Sequence, residues 1–190
     1  MKFILLDKRL SFPDLFVPKA QMNDAGQPGK PTYAANFLME PDDPQVDELN
    51  DVIDAVILEH WGDKAKAMGA ALRGADRVCL HNGDLKADKY EAYGGMYFVT
   101  ARNGTKPSIL DRDKTPLTQA SGRPYGGCFV NAVLDVWVQD GKGEKAKHGR
   151  RVNATLMGVQ FVRDGDAFAG GPPAKPEDFP DLDVSNEALA

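Results

Sequence analysis

Tyr125-Gly126-Gly127-Cys128-Phe129-Val130-Asn131-Ala132-Val133-Leu134-Asp135-Val136-Trp137-Val138 is the stretch on which the reading of this chain turns. Its even positions (Cys128, Val130, Ala132, Leu134, Val136, Val138) are all apolar, while its odd positions mix Phe129, Asn131, Val133, Asp135 and Trp137. Side chains alternate across a strand, so one face packs on a core and the other presents rings among polar groups. Upstream, Gly95-Met96-Tyr97-Phe98-Val99-Thr100-Ala101-Arg102 has the same strand character. The connector between the two runs carries Lys106-Pro107, Asp111-Arg112-Asp113-Lys114, Thr115-Pro116 and Arg123-Pro124. Rings on a half-wet face beside basic loops are what the flat bases and charged backbone of a single nucleic-acid strand require. A sandwich strand covered by a second sheet gives the same periodicity, and this stretch alone does not separate the two.

Towards the N-terminus, residues 1 to 12 read as a first strand, with a turn at Asp14-Leu15-Phe16-Val17-Pro18 and a loop from Gln21 to Pro31. Thr32 to Met39 reads as a second strand, forming a hairpin with the first. A helix follows: Asp43 can cap it, Pro44 suits its first turn, and Val46, Leu49, Ile53, Val56, Ile57 and Trp61 recur every three or four residues. A second short helix fits Lys64 to Gly74, a short strand Arg77 to His81, and a mobile polar loop Asn82 to Lys89. After a hairpin turn at Gly141-Lys142-Gly143 comes a basic loop (Lys142, Lys145, Lys147, His148, Arg150, Arg151). A last strand, Val152 to Arg163, has Gly158 as its expected bulge. The order predicts a mainly β protein with an inserted helix (α+β), an antiparallel barrel of the OB type spanning 1–170. Residues 171–190 read as a disordered, acidic C-terminal tail.

The formal net charge of -5 hides an uneven distribution. From Asp164 onward seven acids face one base, leaving +1 on residues 1 to 163. Glu40 to Glu59 holds eight acids and no Lys or Arg, so the rest of the body carries +9. A basic body with an acidic helix and an acidic tail is the expected picture.

No glycine pattern matches a phosphate-cradling loop, and no cofactor site is read. Cys79 and Cys128 lie in apolar runs and read as reduced core thiols. Cys79 and His81 lack a second ligand pair for zinc. Asp111 and Asp113 could hold Mg²⁺ in a nuclease, but their setting fits a reverse turn better. No metal site and no catalytic residue is assigned, and the chain is read as not an enzyme. No apolar stretch reaches membrane-spanning length, so the cytoplasm is the expected location and no membrane partner is expected.

The order of short motifs goes further. Arg9-Leu10-Ser11-Phe12-Pro13 precedes Leu15-Phe16-Val17-Pro18-Lys19-Ala20, and Tyr33-Ala34-Ala35-Asn36-Phe37-Leu38 precedes the helix. Then come Gly95 to Ala101, Lys106-Pro107, Leu110-Asp111-Arg112-Asp113, Tyr125 to Ala132, and Val159-Gln160-Phe161-Val162-Arg163-Asp164-Gly165. In this order, from residue 1 to 170, the chain resembles the OB-fold single-stranded DNA-binding proteins of tailed bacteriophages, a family long catalogued as a domain of unknown function. It departs from the family at Glu40, where a basic residue is usual, and in ending without a terminal aromatic.

The resemblance implies sequence-tolerant binding of single-stranded DNA in phage replication and recombination, in the host cytoplasm. The expected nucleic-acid-binding residues are the stackers Tyr33, Phe37, Tyr93, Tyr97, Tyr125 and Trp137. Lys8, Arg9, Lys19, Lys30, Arg102, Lys106, Arg112, Arg123, Arg150 and Arg151 are the expected phosphate partners. The acidic tail is expected to fold over the basic groove without DNA and to recruit replication or recombination proteins once displaced; a homodimer is compatible with the reading. The competing class is a phage assembly protein using the barrel only for protein contacts.

Overall fold

The computed structural model describes residues 1–20, 28–142 and 149–168. Lys145, Lys147, His148 and the acidic tail of residues 171–190 lie outside the described residues. In chain order the elements are β1 (Lys2–Lys19), β2 (Thr32–Met39), α1 (Pro44–Trp61), α2 (Ala65–Gly74), β3 (Leu80–Asn82), α3 (Asp84–Ala87), β4 (Tyr97–Asn103), β5 (Ser108–Leu110), β6 (Phe129–Gln139) and β7 (Arg151–Arg163).

The sheet order is β3-β4-β2-β1-β6-β7-β5, and β4 also pairs in parallel with β7, with Ala101 opposite Ala154. That pairing closes β1, β2, β4, β6 and β7 into a five-stranded barrel with the helices inserted between its second and third strands, the expected OB arrangement. Cys128, Val130, Ala132, Leu134 and Val136 of the deciding stretch are buried, while Phe129, Asn131, Val133, Asp135 and Trp137 stay half-buried. Gly158 sits where the β6–β7 register slips, at the expected bulge.

β1 is longer than its sequence suggests. Its inward set runs Phe3 and Leu5, then Leu10, then Leu15, and each change of parity coincides with a left-handed residue, Asp7 (φ 52) and Phe12 (φ 47). The strand therefore continues through the expected turn at Asp14–Pro18, pairing Asp14 with Ala34 and Lys19 with Thr32. Pro13 is tolerated because the register shift at that point asks it for no ladder donor.

α1 starts as its residues dictate, with the Asp43 side chain accepting from the Gln45 N–H and Pro44 in the first turn. Leu49, Ile53 and Ile57 are at most 1% exposed, each burial being worth about 1.5–3 kcal/mol. The Gln45 side chain then does the work of a strand: its Oε1 accepts from Leu6 N–H and its Nε2 donates to Ile4 C=O, satisfying an otherwise open edge of β1.

The segment expected to be a mobile loop is instead built. Asn82 Oδ1 accepts from Asp84 N–H, Asp84 Oδ1 accepts from Gly95 N–H, and Gly83 N–H bonds Met96 C=O at 2.7 Å. Residues 83–96 thus form a closed loop holding α3 and a 3₁₀ turn at Glu91–Tyr93. The connector is a reverse turn at Asp111–Lys114, as expected, preceded by β5 on β7. Cys79 and Cys128 are buried free thiols, and burial pushes them up to about 12 and about 11. Among the described residues no helix is long and apolar enough to cross a membrane.

Candidate nucleic-acid interface

The outer faces of β2, β4 and β7 are continuous. Ala34, Asn36 and Leu38 point out from β2, opposite Arg102, Thr100 and Phe98 of β4, and Arg102 is opposite Thr155 of β7. Across this surface lie two concavities of about 550 and 380 Å³ that share Lys86, Thr100 and Arg102, so together they make one trough. Its first half is walled by Phe12, Lys89 and Tyr90, its second by Trp137, Arg151, Asn153 and Thr155.

The electrostatics of the trough are distinctive. Among the described residues no carboxylate pairs with Lys86, Arg102 or Arg151. Burial, and then the charge of Arg102, hold Lys86 below the usual lysine range, against a smaller opposing pull from Asp76. Desolvation, and then Arg151, lower Arg102, although that residue keeps more than a third of its surface in water. Arg151 Nε is buried with no hydrogen-bond partner among the described residues. Three cations repelling one another in a partly desolvated trough are destabilising unless an anion joins them. Three carboxylates border the trough: Asp14 pairs with Lys19, Asp76 lies 2.7 Å from His81 Nδ1, and Asp88 makes no ion pair among the described residues.

Rings complete the trough. Phe12 and Tyr90, 44% and 43% exposed, meet edge to face at 4.8 Å. The Trp137 indole N–H donates to Thr155 Oγ1 at 2.9 Å, fixing the plane of the ring. Below them, Lys86 Nζ lies 4.4 Å from the Phe98 ring, on which His81 also stacks.

The expected site residues distribute unevenly around this geometry. Arg102, Arg151 and Trp137 come together in the trough. Lys19, paired with Asp14, is exposed at the end of β1, Lys30 is exposed just before β2 begins, and Arg150 lies next to Arg151 against Met68. Three expectations are corrected by burial. Phe37 is 0% exposed and is core, because its parity on β2 points into the barrel. Tyr93 is 1% exposed, with its hydroxyl bonded to Ser11 and Asn36. Lys8 is buried in an ion pair with Asp43 at the start of α1.

The others lie outside the trough. Tyr33 is half-buried at the Asn103 end of β2. Tyr97 packs on the core and lines a different groove beside α1 and α2. Tyr125 donates to Asp164, and Arg9 lies over Phe168 while bonding the Asp166 carbonyl, so both hold the segment after β7. Lys106 stands 5.9 Å from the Phe16 ring, Arg112 lies over Phe161, and Arg123 pairs with Asp111 at 2.8 Å. That pairing, with Asp113 accepting from Thr115 N–H, makes the two acids part of a turn. Sequence reasoning missed Phe12, which precedes a proline, Lys86 and Lys89, which fall in the expected mobile loop, and Tyr90, directly after it.

Comparison with known proteins places this geometry. A family model described as the Enterobacter phage Enc34 single-stranded DNA-binding protein matches residues 1–189. Protein p50 of Acyrthosiphon pisum secondary endosymbiont phage 1 is 40% identical over 190 residues, covering 98% of this chain and 97% of that protein. The Enc34 protein solved in complex with single-stranded DNA superimposes with a TM-score of 0.69 at 23% identity, over 88% of this chain and 89% of that one. Gp2.5, a single-stranded DNA-binding protein of bacteriophage T7, shares the fold at a TM-score of 0.52 and 11% identity, over 92% and 98% of the two chains. The barrel and the match along its whole length lead to one conclusion: the chain belongs to the phage Enc34 family of single-stranded DNA-binding proteins.

Proposed function

We propose that this chain binds single-stranded DNA without strong sequence preference along the trough over β2, β4 and β7, during phage DNA replication and recombination. One observation carries the reading: Lys86, Arg102 and Arg151 share a partly desolvated groove with no carboxylate partner among the described residues, beside rings that a base can stack on. Phosphates supply the missing charge and release their counterions, while Trp137, Phe12 and Tyr90 supply ring faces or edges that accept any base. Arg150, Lys19 and Lys30 extend the cationic path beyond either end.

The acidic tail is proposed to compete for the same trough and, when displaced, to engage replication or recombination proteins. The last described residue, Phe168, supports this: its N–H bonds Gly126 C=O, and its ring lines a pocket shared with Phe12 and Tyr90, beside the trough. Truncation after Gly171 then raises affinity at low salt.

Titration with oligo(dT) at low salt tests the reading. Tryptophan fluorescence is quenched on binding, the quench is lost in Trp137→Phe, and affinity falls steeply with salt. Unchanged fluorescence and no mobility shift at low salt would overturn it in favour of an assembly role.

A further inference from the structure

Among the described residues Tyr93 is the largest fully buried side chain, and nothing in the binding mechanism above uses it. Its ring meets Phe98 edge-on at 5.0 Å, which accounts for the ring but not for the hydroxyl. The hydroxyl donates to Ser11 Oγ at 2.9 Å and accepts from Asn36 Nδ2 at 2.9 Å; Asn36 Oδ1 in turn accepts from Thr100 Oγ1 at 3.0 Å. A chain of polar groups thus runs from β1 through β2 to β4 directly beneath the trough, ending at Thr100, one of the three residues its two halves share.

Tyr93 belongs to the loop of residues 83–96, which carries Lys86, Lys89 and Tyr90. The loop is stiff within itself. Its neck is closed by Gly83 N–H on Met96 C=O, and a Cβ at Gly83 would fall 2.1 Å from the Tyr93 carbonyl oxygen. Inside it, the N–H groups of Lys89 and Tyr90 both bond Lys86 C=O. A loop of this kind moves as a unit, so its placement on the barrel is set where its side chains reach across. Among the described residues, the side-chain hydrogen bonds from it to β1 and β2 are the two made by the Tyr93 hydroxyl.

We infer that Tyr93 is a positioning residue: its hydroxyl, bonded to Ser11 and Asn36, fixes the wall of the trough so that Lys86 and Tyr90 face the strand that Arg102 and Arg151 hold. The inference rests on the proposed trough and deepens it, assigning to a buried oxygen a share of affinity that it does not supply by contact. A phenylalanine fills the same space, leaves Asn36 without its acceptor, and frees the wall to shift.

Tyr93→Phe, with wild type and Lys86→Ala, is titrated with fluorescent oligo(dT) over a range of salt, and the melting temperature of each is measured. Tyr93→Phe is expected to bind about tenfold more weakly at low salt, the equivalent of one buried hydrogen bond. Its plot of log affinity against log salt should be shallower by about 0.7, one phosphate contact on a single strand. In the Lys86→Ala background the same change should cost less than about twofold, because the wall no longer has that cation to misplace. Ser11→Ala removes the acceptor while keeping the tyrosine, and should weaken binding about threefold with a shallower slope, so the inference stays open to test if Tyr93→Phe does not fold. A lower melting temperature with unchanged affinity and slope would make the hydroxyl a purely structural group and overturn the inference while leaving the trough intact. Additive effects of Tyr93→Phe and Lys86→Ala would do the same. Wild-type protein that does not bind oligo(dT) at all would remove the trough and the inference together.

Discussion

Arg102 and Arg123 both stand in strand-and-turn stretches rich in basic residues, and the molecule treats them in opposite ways. In the connector, Arg123 pairs with Asp111 at 2.8 Å and lies over the Phe161 ring, so its charge is used to hold a turn. In the trough, Arg102 faces Lys86 and Arg151 and is depressed by desolvation and by the neighbouring positive charge. A count of cations therefore does not locate a polyanion site. What locates it is charge that the fold has gathered and left without a partner.

The comparison breaks first if the trough can be emptied without consequence. Arg102→Ala combined with Arg151→Ala should weaken oligo(dT) binding about 100-fold at low salt and reduce the salt slope by about 1.4, since each removes one phosphate partner from a single strand. Fluorescence anisotropy over a salt series measures both; full affinity in the double variant would end the assignment. Trp137→Ala comes next, at about 1–2 kcal/mol, the worth of one base–ring stack, with little change in salt slope because no charge is lost. Arg123→Ala sharpens the contrast from the other side. Its affinity should stay within about twofold of wild type, and its urea midpoint should report a loss of less than about 1 kcal/mol, as for a partly exposed ion pair.

How much of this was legible in the residues follows from which faces of each strand meet water. β6 has one dry and one half-wet face, so its alternation could be read directly, and the Asp43-Pro44 start and apolar spacing of α1 were equally plain. β2 resisted reading because everything from Ala34 to Met39 is buried: the barrel covers Ala35, Phe37 and Met39, and Leu38 packs with Tyr93 and Phe98 under the loop of residues 83–96. With no alternation left, nothing told Phe37 from a surface ring. Phe12 was invisible for another reason, since its ring reaches the trough only because the backbone there turns left-handed at φ 47. Lys8 looked like a free cation because its partner, Asp43, is distant in sequence. Lys86 lay in a stretch, Asn82 to Lys89, whose composition reads as a mobile loop, with Tyr90 directly after it, and only the long-range closure of Gly83 on Met96 makes this segment a wall.

The smallest effect expected is on pH, and it separates charge from shape in the same trough. Lys86 is held below the ordinary lysine value of about 10.4, first by burial and then by Arg102. Between its depressed pKa and that value the folded chain binds fewer protons than the unfolded one, so this lysine makes the DNA-free protein more stable as pH rises through the window. For single-stranded DNA the sign reverses. A phosphate favours the charged amine, so the contribution of Lys86 to affinity is complete below its depressed pKa and declines as pH rises above it, starting at a lower pH than for an exposed lysine. Lys86→Arg keeps the charge throughout this range, because a guanidinium does not deprotonate there. Affinity measured stepwise from neutral to alkaline pH should therefore decline in wild type and stay flatter in Lys86→Arg. Parallel profiles would place Lys86 away from the bound strand and leave Arg102 and Arg151 to account for the trough alone.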